Sequence, residues 1–138
     1  MELNDEIYER ITDLSSEGDE FADAGNFGKA IERYSEALKL IPEPKYDWEA
    51  STWLYVAIGD AYYLDENFEK ALHNMEESLK CPDGLDNPFI QLRLGECFFE
   101  LGNITKAKEH LLKAYMIEGE EIFEDEPQKY MNLISKNI

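Results

Sequence analysis

Basic, sulfur-containing and imidazole side chains are scarce in this chain of 138 residues. It has 13 Lys and Arg against 31 Asp and Glu, and only two Cys and two His. Because a formal charge of −18 repels the phosphates of nucleic acids, direct binding of DNA or RNA is disfavoured. The spacing of Cys81, Cys97, His73 and His110 fits neither a zinc site nor a disulfide framework. We therefore expect no metal and no cofactor.

Long apolar runs and targeting signals are also missing. No apolar run approaches the roughly 18 residues of a membrane-spanning helix. The start, 1–6, has no basic residue and no apolar core, which predicts that no secretory signal is present. We expect a soluble, cytoplasmic protein without a membrane partner. The sequence also contains no phosphate-binding glycine loop, nucleophile elbow or recognisable acid–base pair, so an enzyme is not expected.

Apolar side chains make up 43% of the chain, which is enough for a folded core. They recur three and four residues apart, and no segment alternates with period two, so an all-α fold is predicted. Gly-Asn pairs, an Asp-Glu-Asn turn and prolines separate the predicted helices. These cover about 4–24, 27–40, 48–64, 68–80, 88–101 and 104–117, with a last helix starting near Pro127.

One set of residue types recurs three times in the same order. A glycine is followed three residues later by an aromatic residue and twelve residues later by an alanine, and a larger side chain follows four residues after that. The three sets are Gly18, Phe21, Ala30 and Tyr34; Gly59, Tyr62, Ala71 and Met75; and Gly95, Phe98, Ala107 and Leu111. Most of these residues are predicted to have a structural role, because small side chains let two helices pack closely.

This pattern resembles the tetratricopeptide repeat, a helix–turn–helix unit of 34 residues. The predicted repeats are about 11–44, 52–85 and 88–121, followed by a C-terminal cap at about 122–138. Successive repeats are offset by 41 and 36 residues. The seven additional residues before repeat two correspond to about two helical turns, so the first helices of repeats one and two are both predicted to be extended at their starts.

The resemblance implies a single domain over 1–138. It would be a right-handed superhelix of three helix pairs, closed by a capping helix whose Tyr130, Leu133 and Ile134 cover the end of repeat three. The acidic segment 118–126 is predicted to be a solvated linker before that helix.

The resemblance also implies a concave ligand-binding face, lined by the first helix of each repeat. The lining positions are Thr12, Ser15, Asp19, Ala22, Asp23, Trp53, Val56, Asp60, Tyr63, Leu64, Phe89, Leu92, Glu96, Phe99 and Glu100. This set holds four aromatic residues and five carboxylates without any Lys or Arg. Aromatic rings beside carboxylates suit Arg and Lys side chains. The predicted contact residues for a basic protein or peptide are therefore Asp19, Asp23, Trp53, Asp60, Tyr63, Phe89, Glu96, Phe99 and Glu100.

Two observations qualify this face. The C-terminal helix can instead fold back and cover some of its aromatic side chains. The branch of the family that binds acidic peptide C-termini uses a clamp of Lys, Asn and Arg. Its positions here are Ser15, Asp19, Ala57, Phe89 and Arg93, of which only Arg93 matches, so an adaptor for acidic tails is disfavoured.

The functional prediction is a non-catalytic protein-binding scaffold. A narrower hypothesis is an immunity protein that neutralises a basic toxin, because the chain is small and acidic and its tail, 118–130, is similar to those of small tetratricopeptide proteins of bacterial toxin systems. One alternative is a self-assembly module, which would make the protein a weak homodimer rather than a monomer. Another is a regulatory adaptor that senses a short peptide.

Overall fold

A computed structural model describes residues 3–138 and confirms the all-α fold. Within that range there is no strand, and the predicted helices begin and end within one residue of the expected positions. The α-helices are α1 (Asp5–Asp23), α2 (Phe27–Lys39), α3 (Glu49–Leu64), α4 (Phe68–Leu79), α5 (Pro88–Glu100), α6 (Ile104–Glu118) and α7 (Gln128–Ile134). In this part of the chain, none of the helices has both the length and the apolar character needed to cross a membrane.

The chain divides into two compact units, Met1–Gly84 and Leu85–Ile138. The first unit contains α1 to α4, in which α1 packs on α2, α2 on α3 and α3 on α4. The second contains α5 to α7, in which α5 packs on α6 and α6 on α7. The boundary between the units falls between predicted repeats two and three.

Each helix pair is closed by a glycine of the first helix that faces a large side chain 16 residues later. A Cβ atom on these glycines would lie 2.5 Å from Tyr34 Cε1 in the first pair, 3.1 Å from Met75 Cε in the second and 2.6 Å from Leu111 Cγ in the third. The glycines therefore allow the close approach of the two helices. Of the repeat residues, Gly18, Ala30, Tyr34, Gly59, Ala71, Gly95, Phe98 and Ala107 are buried, and Phe21 and Tyr62 are half-buried.

The turn inside each pair is also repeated. Asn26, Asn67 and Asn103 accept a hydrogen bond from the backbone N–H three residues later and so cap α2, α4 and α6. The residue before each asparagine has a positive φ of 78° at Gly25, 61° at Glu66 and 87° at Gly102. The second repeat thus places a glutamate in a backbone conformation that favours glycine.

The three lysines that follow these caps were not predicted to have a role. Their ammonium groups lie over the repeat aromatic of the preceding helix, with Nζ-to-centroid distances of 5.5 Å for Lys29 and Phe21, 5.6 Å for Lys70 and Tyr62, and 5.4 Å for Lys106 and Phe98. Cation–π contacts at exposed positions contribute about 0.5–1 kcal/mol each. Three of the few basic side chains of the protein are therefore used within its own repeats.

The prediction that 118–126 is a solvated linker agrees with the exposure of most of its acidic residues but was wrong for Ile122 and Phe123. Residues Glu120–Phe123 form a 3-10 turn, and Phe123 is buried in one apolar cluster with Leu92, Leu111 and Ile134. Glu126 is half-buried, and its carboxylate accepts a hydrogen bond from Arg93 instead of facing only solvent. Two apolar side chains within the acidic run, Ile122 and Phe123, explain the difference, since their burial outweighs the solvation of a short connection.

Candidate functional site

The first turns of α1 and α3 enclose a pocket of about 350 Å³ in the first unit. We call it the N-terminal pocket; its lining residues are Leu3, Asp5, Tyr8, Trp48, Glu49, Ala50 and Trp53. Tyr8 is 55% exposed and Trp53 is 40% exposed, so both rings present surface to solvent. Three aromatic residues, two carboxylates and no basic side chain therefore surround this pocket.

A second depression of about 310 Å³ lies further along α1 and shares Tyr8 with the N-terminal pocket. Its other lining residues are Glu9, Thr12 and Asp13, so it is also acidic. The acidic character extends to the whole first unit. Residues 1–84 carry 21 acidic and seven basic side chains, whereas 85–138 carry ten and six, and the formal charges are −14 and −4.

In repeat one, the structure places the predicted contact residues Asp19 and Asp23 on α1, and both are exposed. Asp19 accepts a hydrogen bond of 2.6 Å from the hydroxyl of Tyr34. Burial and this bond to Asp19 raise the pKa of Tyr34 well above its usual range. Asp19 therefore holds the repeat tyrosine in place and still presents carboxylate surface to solvent.

In repeat two, α3 carries the predicted contact residues Trp53, Asp60 and Tyr63. Trp53 is exposed, while Asp60 and Tyr63 are half-buried. The Tyr63 ring packs edge-on against Phe68, with centroids 5.6 Å apart. The structure thus assigns Trp53 to the N-terminal pocket and gives Tyr63 a packing role as well.

In repeat three, the C-terminal segment covers much of the predicted face, as the alternative interpretation of the sequence allowed. Phe89 and Phe99 pack against the cluster that contains Phe123, Tyr130 and Ile134. The rings of Phe99 and Tyr130 meet edge-on at 5.3 Å between centroids. The Nζ atom of Lys129 lies 3.0 Å from the Glu100 carboxylate and 5.4 Å from the centroid of the Phe99 ring.

Glu96 is fully buried, so it cannot contact a partner as the sequence analysis expected. Its Oε1 accepts a hydrogen bond from Arg93 Nη1, at 2.5 Å, and the same nitrogen donates to Glu126. Burial raises the pKa of Glu96 to about 9, an effect strengthened by its hydrogen bond with Glu126 and opposed by Arg93. Glu96 therefore carries a proton at neutral pH.

Two of the clamp positions make contacts within the chain. Arg93, the one match, is buried against Glu96 and Glu126. Ser15 donates its hydroxyl to the backbone oxygen of Ile11. A peptide carboxylate would meet an arginine that the protein's own acidic side chains already neutralise.

Tyr8, Asp5 and Glu49 are not among the predicted site residues, because all three lie outside the 34-residue repeats. The signal that locates them is the 41-residue offset, which extends the first helices of repeats one and two. Those extensions form the walls of the N-terminal pocket.

The two cysteines and His110 are wholly or partly buried among other side chains. Cys81 and Cys97 are both buried, and burial raises the pKa of the Cys81 thiol to about 11. His110 Nδ1 lies 2.7 Å from Gln91 Oε1, and burial lowers the pKa of the ring. Across residues 3–138, no group of three or more His, Cys, Asp or Glu side chains is arranged to hold a metal ion.

Comparisons with known proteins agree with the repeat pattern. The family model of the tetratricopeptide repeat matches residues 90–121, which lie within predicted repeat three. Human tetratricopeptide repeat protein 12 is 31% identical over 96 residues, which is 70% of this chain. The match spans only 12% of that human protein.

Solved structures of low sequence identity share the fold. One is the C-terminal domain, containing tetratricopeptide repeats, of an FK506-binding protein from Plasmodium falciparum, at 23% identity and a TM-score of 0.78, with 99% of this chain and 94% of that chain covered. Another is the second tetratricopeptide domain of human RPAP3 in complex with the HSP70 peptide SGPTIEEVD, at 16% identity and a TM-score of 0.72, with 94% and 96% covered.

Proposed function

Because this chain is built from tetratricopeptide repeats, we propose that it is a non-catalytic module that binds a basic segment of another protein. The proposed contact surface belongs to the first unit and comprises the N-terminal pocket with Asp19, Asp23, Asp60 and Tyr63. The observation that carries the proposal is the exposure of Tyr8 and Trp53 among carboxylates, in a pocket without a basic lining residue.

The chemistry of this surface favours lysine and arginine. Aromatic faces attract cations, and exposed carboxylates accept charge-assisted hydrogen bonds from them. The formal charge of −14 on residues 1–84 would also raise the rate at which a basic partner arrives. Aromatic anchors in the centre of an interface commonly contribute most of its binding energy.

Repeat three supplies less of the proposed surface. Phe89, Phe99 and Glu100 are half-buried, and they contact Arg93, Tyr130 and Lys129 within the second unit. A partner that used them would have to displace the C-terminal segment. We therefore leave Glu96 out of the contact set and give the residues of α1 and α3 the main role.

The preferred ligand differs in charge from the one held by the human RPAP3 domain. That structure contains an HSP70 peptide with two glutamates and an aspartate. Here the clamp positions hold Asp19, Ala57 and an internally paired Arg93. These positions therefore do not favour a peptide carboxylate, and we expect a preference for basic peptides.

A fluorescence anisotropy titration tests this proposal. A labelled peptide of alternating arginine and glycine is expected to bind saturably, and more weakly as salt increases, because salt screens exposed charges. The peptide SGPTIEEVD serves as the acidic comparator. Trp53→Ala combined with Asp23→Lys is expected to lower the affinity for the basic peptide at least about tenfold, which corresponds to roughly 1.4 kcal/mol of binding free energy.

The matched control is Glu32→Lys, which makes the same charge change at an exposed position of α2. It should leave peptide affinity within about twofold of the unmodified protein, because its charge lies outside the proposed surface. Equal binding of the acidic peptide would contradict the proposal. So would an equal loss with Glu32→Lys, since that result would indicate attraction by net charge alone.

The narrower hypothesis, that the basic partner is a toxin, uses the same surface. It requires that the protein form a complex with a basic toxin of its own organism and abolish the toxin's activity. Trp53→Ala should then restore the toxin's activity. A protein that binds basic peptides but leaves such a toxin active would be an adaptor instead.

Self-assembly through the exposed rings of Tyr8 and Trp53 is the alternative with a structural basis. The acidic surroundings of both rings oppose it, because two copies would bring like charges together. Sedimentation velocity over a range of protein concentrations separates self-assembly from a monomer that binds a basic partner. A dimer lost on Tyr8→Ala would favour assembly.

A further inference from the structure

We infer that the N-terminal pocket is a site for an arginine side chain of the partner protein. This inference rests on the proposed function and names the residue type that the surface selects. The guanidinium would lie among the rings of Tyr8, Trp48 and Trp53, with Asp5 and Glu49 as acceptors. It explains why two large rings stay exposed beside carboxylates instead of joining the core.

The pocket is built by parts of the chain that the repeat does not require. Leu3, Asp5 and Tyr8 precede repeat one, and Trp48, Glu49 and Ala50 precede repeat two. The same two extensions account for the 41-residue offset between these repeats. Leu3 and Trp48 of these extensions pack in part against the core of the first unit, and the extensions also leave a cavity of about 350 Å³. This volume is at the lower end of the range for ligand pockets, about 300–1,000 Å³.

The charge of the pocket favours a cation, even though two helices begin there. Each helix N-terminus carries about half a positive charge. The first turns of α1 and α3 place Asp5 and Glu49 at the pocket, and each carboxylate carries a full negative charge. The negative charge of the two carboxylates therefore exceeds the partial positive charge of the two helix N-termini. In addition, the side chain of Asn4 caps α1 by accepting from the Ile7 N–H, so one of the free donors is already satisfied.

Arginine suits this lining better than lysine does. A guanidinium is planar, stacks on aromatic faces and pairs with a carboxylate through two parallel hydrogen bonds. It is also more weakly hydrated than an ammonium, so moving it among three rings costs less. Tryptophan gives the strongest cation–π attraction of the aromatic side chains, and the pocket holds two.

The two tryptophans make the site directly observable, because Trp48 and Trp53 are the only tryptophans of the protein. Their indole N–H resonances in a 15N–1H spectrum therefore come only from residues that line the pocket. The probe is acetyl-Gly-Arg-Gly-amide, compared with the same peptide containing lysine or citrulline, which is the neutral analogue of arginine. We expect saturable shifts of the indole signals, with affinity about tenfold lower for citrulline and intermediate for lysine.

Two variants and one control identify the groups involved. Glu49→Gln with Asp5→Asn should lower arginine affinity about tenfold and leave citrulline affinity unchanged. Tyr8→Leu keeps an apolar side chain but removes the ring. It should lower the affinity for the arginine peptide and for the lysine peptide alike. Glu6→Gln is the control, since it removes an acid from the same first turn of α1 without lining the pocket.

Equal indole shifts from the arginine and citrulline peptides would overturn the inference. So would indole shifts that depend on protein concentration in the absence of peptide, because a second copy would then occupy the pocket. If the arginine tripeptide binds but the longer basic peptide does not, the pocket assignment stands and the proposed function fails. If the longer peptide binds without changing either indole signal, the inference alone is overturned.

Discussion

The side chain of Leu111 occupies the space that Gly95 leaves open. A Cβ atom on Gly95 would lie 2.6 Å from Leu111 Cγ and 3.0 Å from the Leu111 backbone nitrogen. Real Cβ atoms essentially never approach another heavy atom below 3.0 Å. Neither the branched side chain of Leu111 nor its backbone can retreat easily, so this contact makes glycine necessary where α5 meets α6.

Gly95→Ala is therefore expected to destabilise the protein, whereas Gly59→Ala should have little effect. A Cβ on Gly59 would lie 3.1 Å from Met75 Cε and 3.3 Å from the Ala71 backbone oxygen. Both distances are longer than those at Gly95, and the flexible Met75 side chain can adjust. Overpacking costs about 1–3 kcal/mol, and replacing a helical glycine by alanine returns about 1 kcal/mol. We expect a net loss of up to about 2 kcal/mol for Gly95→Ala and a smaller change, within about 0.5 kcal/mol, for Gly59→Ala.

Urea denaturation followed by circular dichroism measures both variants. Gly95→Ala combined with Leu111→Ala is a useful double variant, because removing the opposing side chain should cancel the steric part of the loss. Equal destabilisation by Gly59→Ala and Gly95→Ala would show that the Cβ contact does not control packing.

Replacing Glu66 with glycine should stabilise the second helix pair. Glu66 has a φ of 61°, at the position where the other pairs use Gly25 and Gly102. A non-glycine residue in this region costs about 1–2 kcal/mol, and the added freedom of glycine in the unfolded chain removes about 0.5–1 kcal/mol of the gain. The free energy of unfolding should rise by up to about 1 kcal/mol, measured as an increase in thermal midpoint. Gly102→Ala is the reciprocal control and should lower the free energy of unfolding. The reason is its φ of 87° and not a steric clash, because no described heavy atom other than those of its chain neighbours lies within 4 Å of that Cβ position.

The stability of the protein should depend on the protonation of Glu96. Burial, and then the hydrogen bond with Glu126, raise the pKa of Glu96 from its ordinary value of 4.5 to about 9 in the folded state. Between these values the folded chain holds one proton more than the unfolded chain, so the free energy of unfolding falls as pH rises. This contribution is fully present below about pH 4.5 and is lost as the pH passes about 9.

Glu96→Gln removes that dependence. A neutral carboxamide can still accept from Arg93 and donate to Glu126, so we expect near-native stability at pH 7 and a smaller decrease up to pH 9. Urea midpoints at several pH values compare the two proteins. Glu118→Gln, an exposed change on α6, controls for the loss of one negative charge. Parallel pH profiles for Glu96→Gln and the unmodified protein would exclude Glu96 as the titrating group.

Tyr130→Ala should destabilise the second unit more than the first. Tyr130 is 1% exposed, belongs to the cluster around Leu111 and contacts the ring of Phe99. Removing a buried aromatic side chain costs about 3–5 kcal/mol. Amide hydrogen exchange should therefore accelerate in α5 and α6 while α1 to α4 keep their protection.

The neighbouring change Lys129→Ala is the comparison for Tyr130→Ala. It removes a partly exposed ion pair with Glu100, and such pairs contribute about 0–1 kcal/mol. Uniform acceleration of exchange over both units by Tyr130→Ala would mean that the C-terminal segment stabilises the whole chain instead.

Local patterns were sufficient to predict the helices and their pairing. Gly18 and Tyr34, or Asn26 before α2, lie within one helix pair, and contacts over so short a separation leave a periodic signal in the sequence. The positions of Trp53 and Asp23 on the first helices followed from the same repeat. What the pattern could not predict is which of these side chains other parts of the chain would cover.

Whether a side chain is covered depends on contacts between residues that lie far apart in the sequence and follow no periodic pattern. Arg93 pairs with Glu126 across 33 residues. Burial, and then the hydrogen bond with Glu126, raise the pKa of Glu96 against the opposing effect of Arg93. Tyr8 and Trp53 line one pocket, although they belong to different helix pairs. The sequence by itself thus determined the helical repeats, since backbone geometry and small-to-large contacts are local. Only the tertiary structure decided that the acidic, aromatic surface is open in the first unit and covered in the second, because burial depends on every neighbour at once.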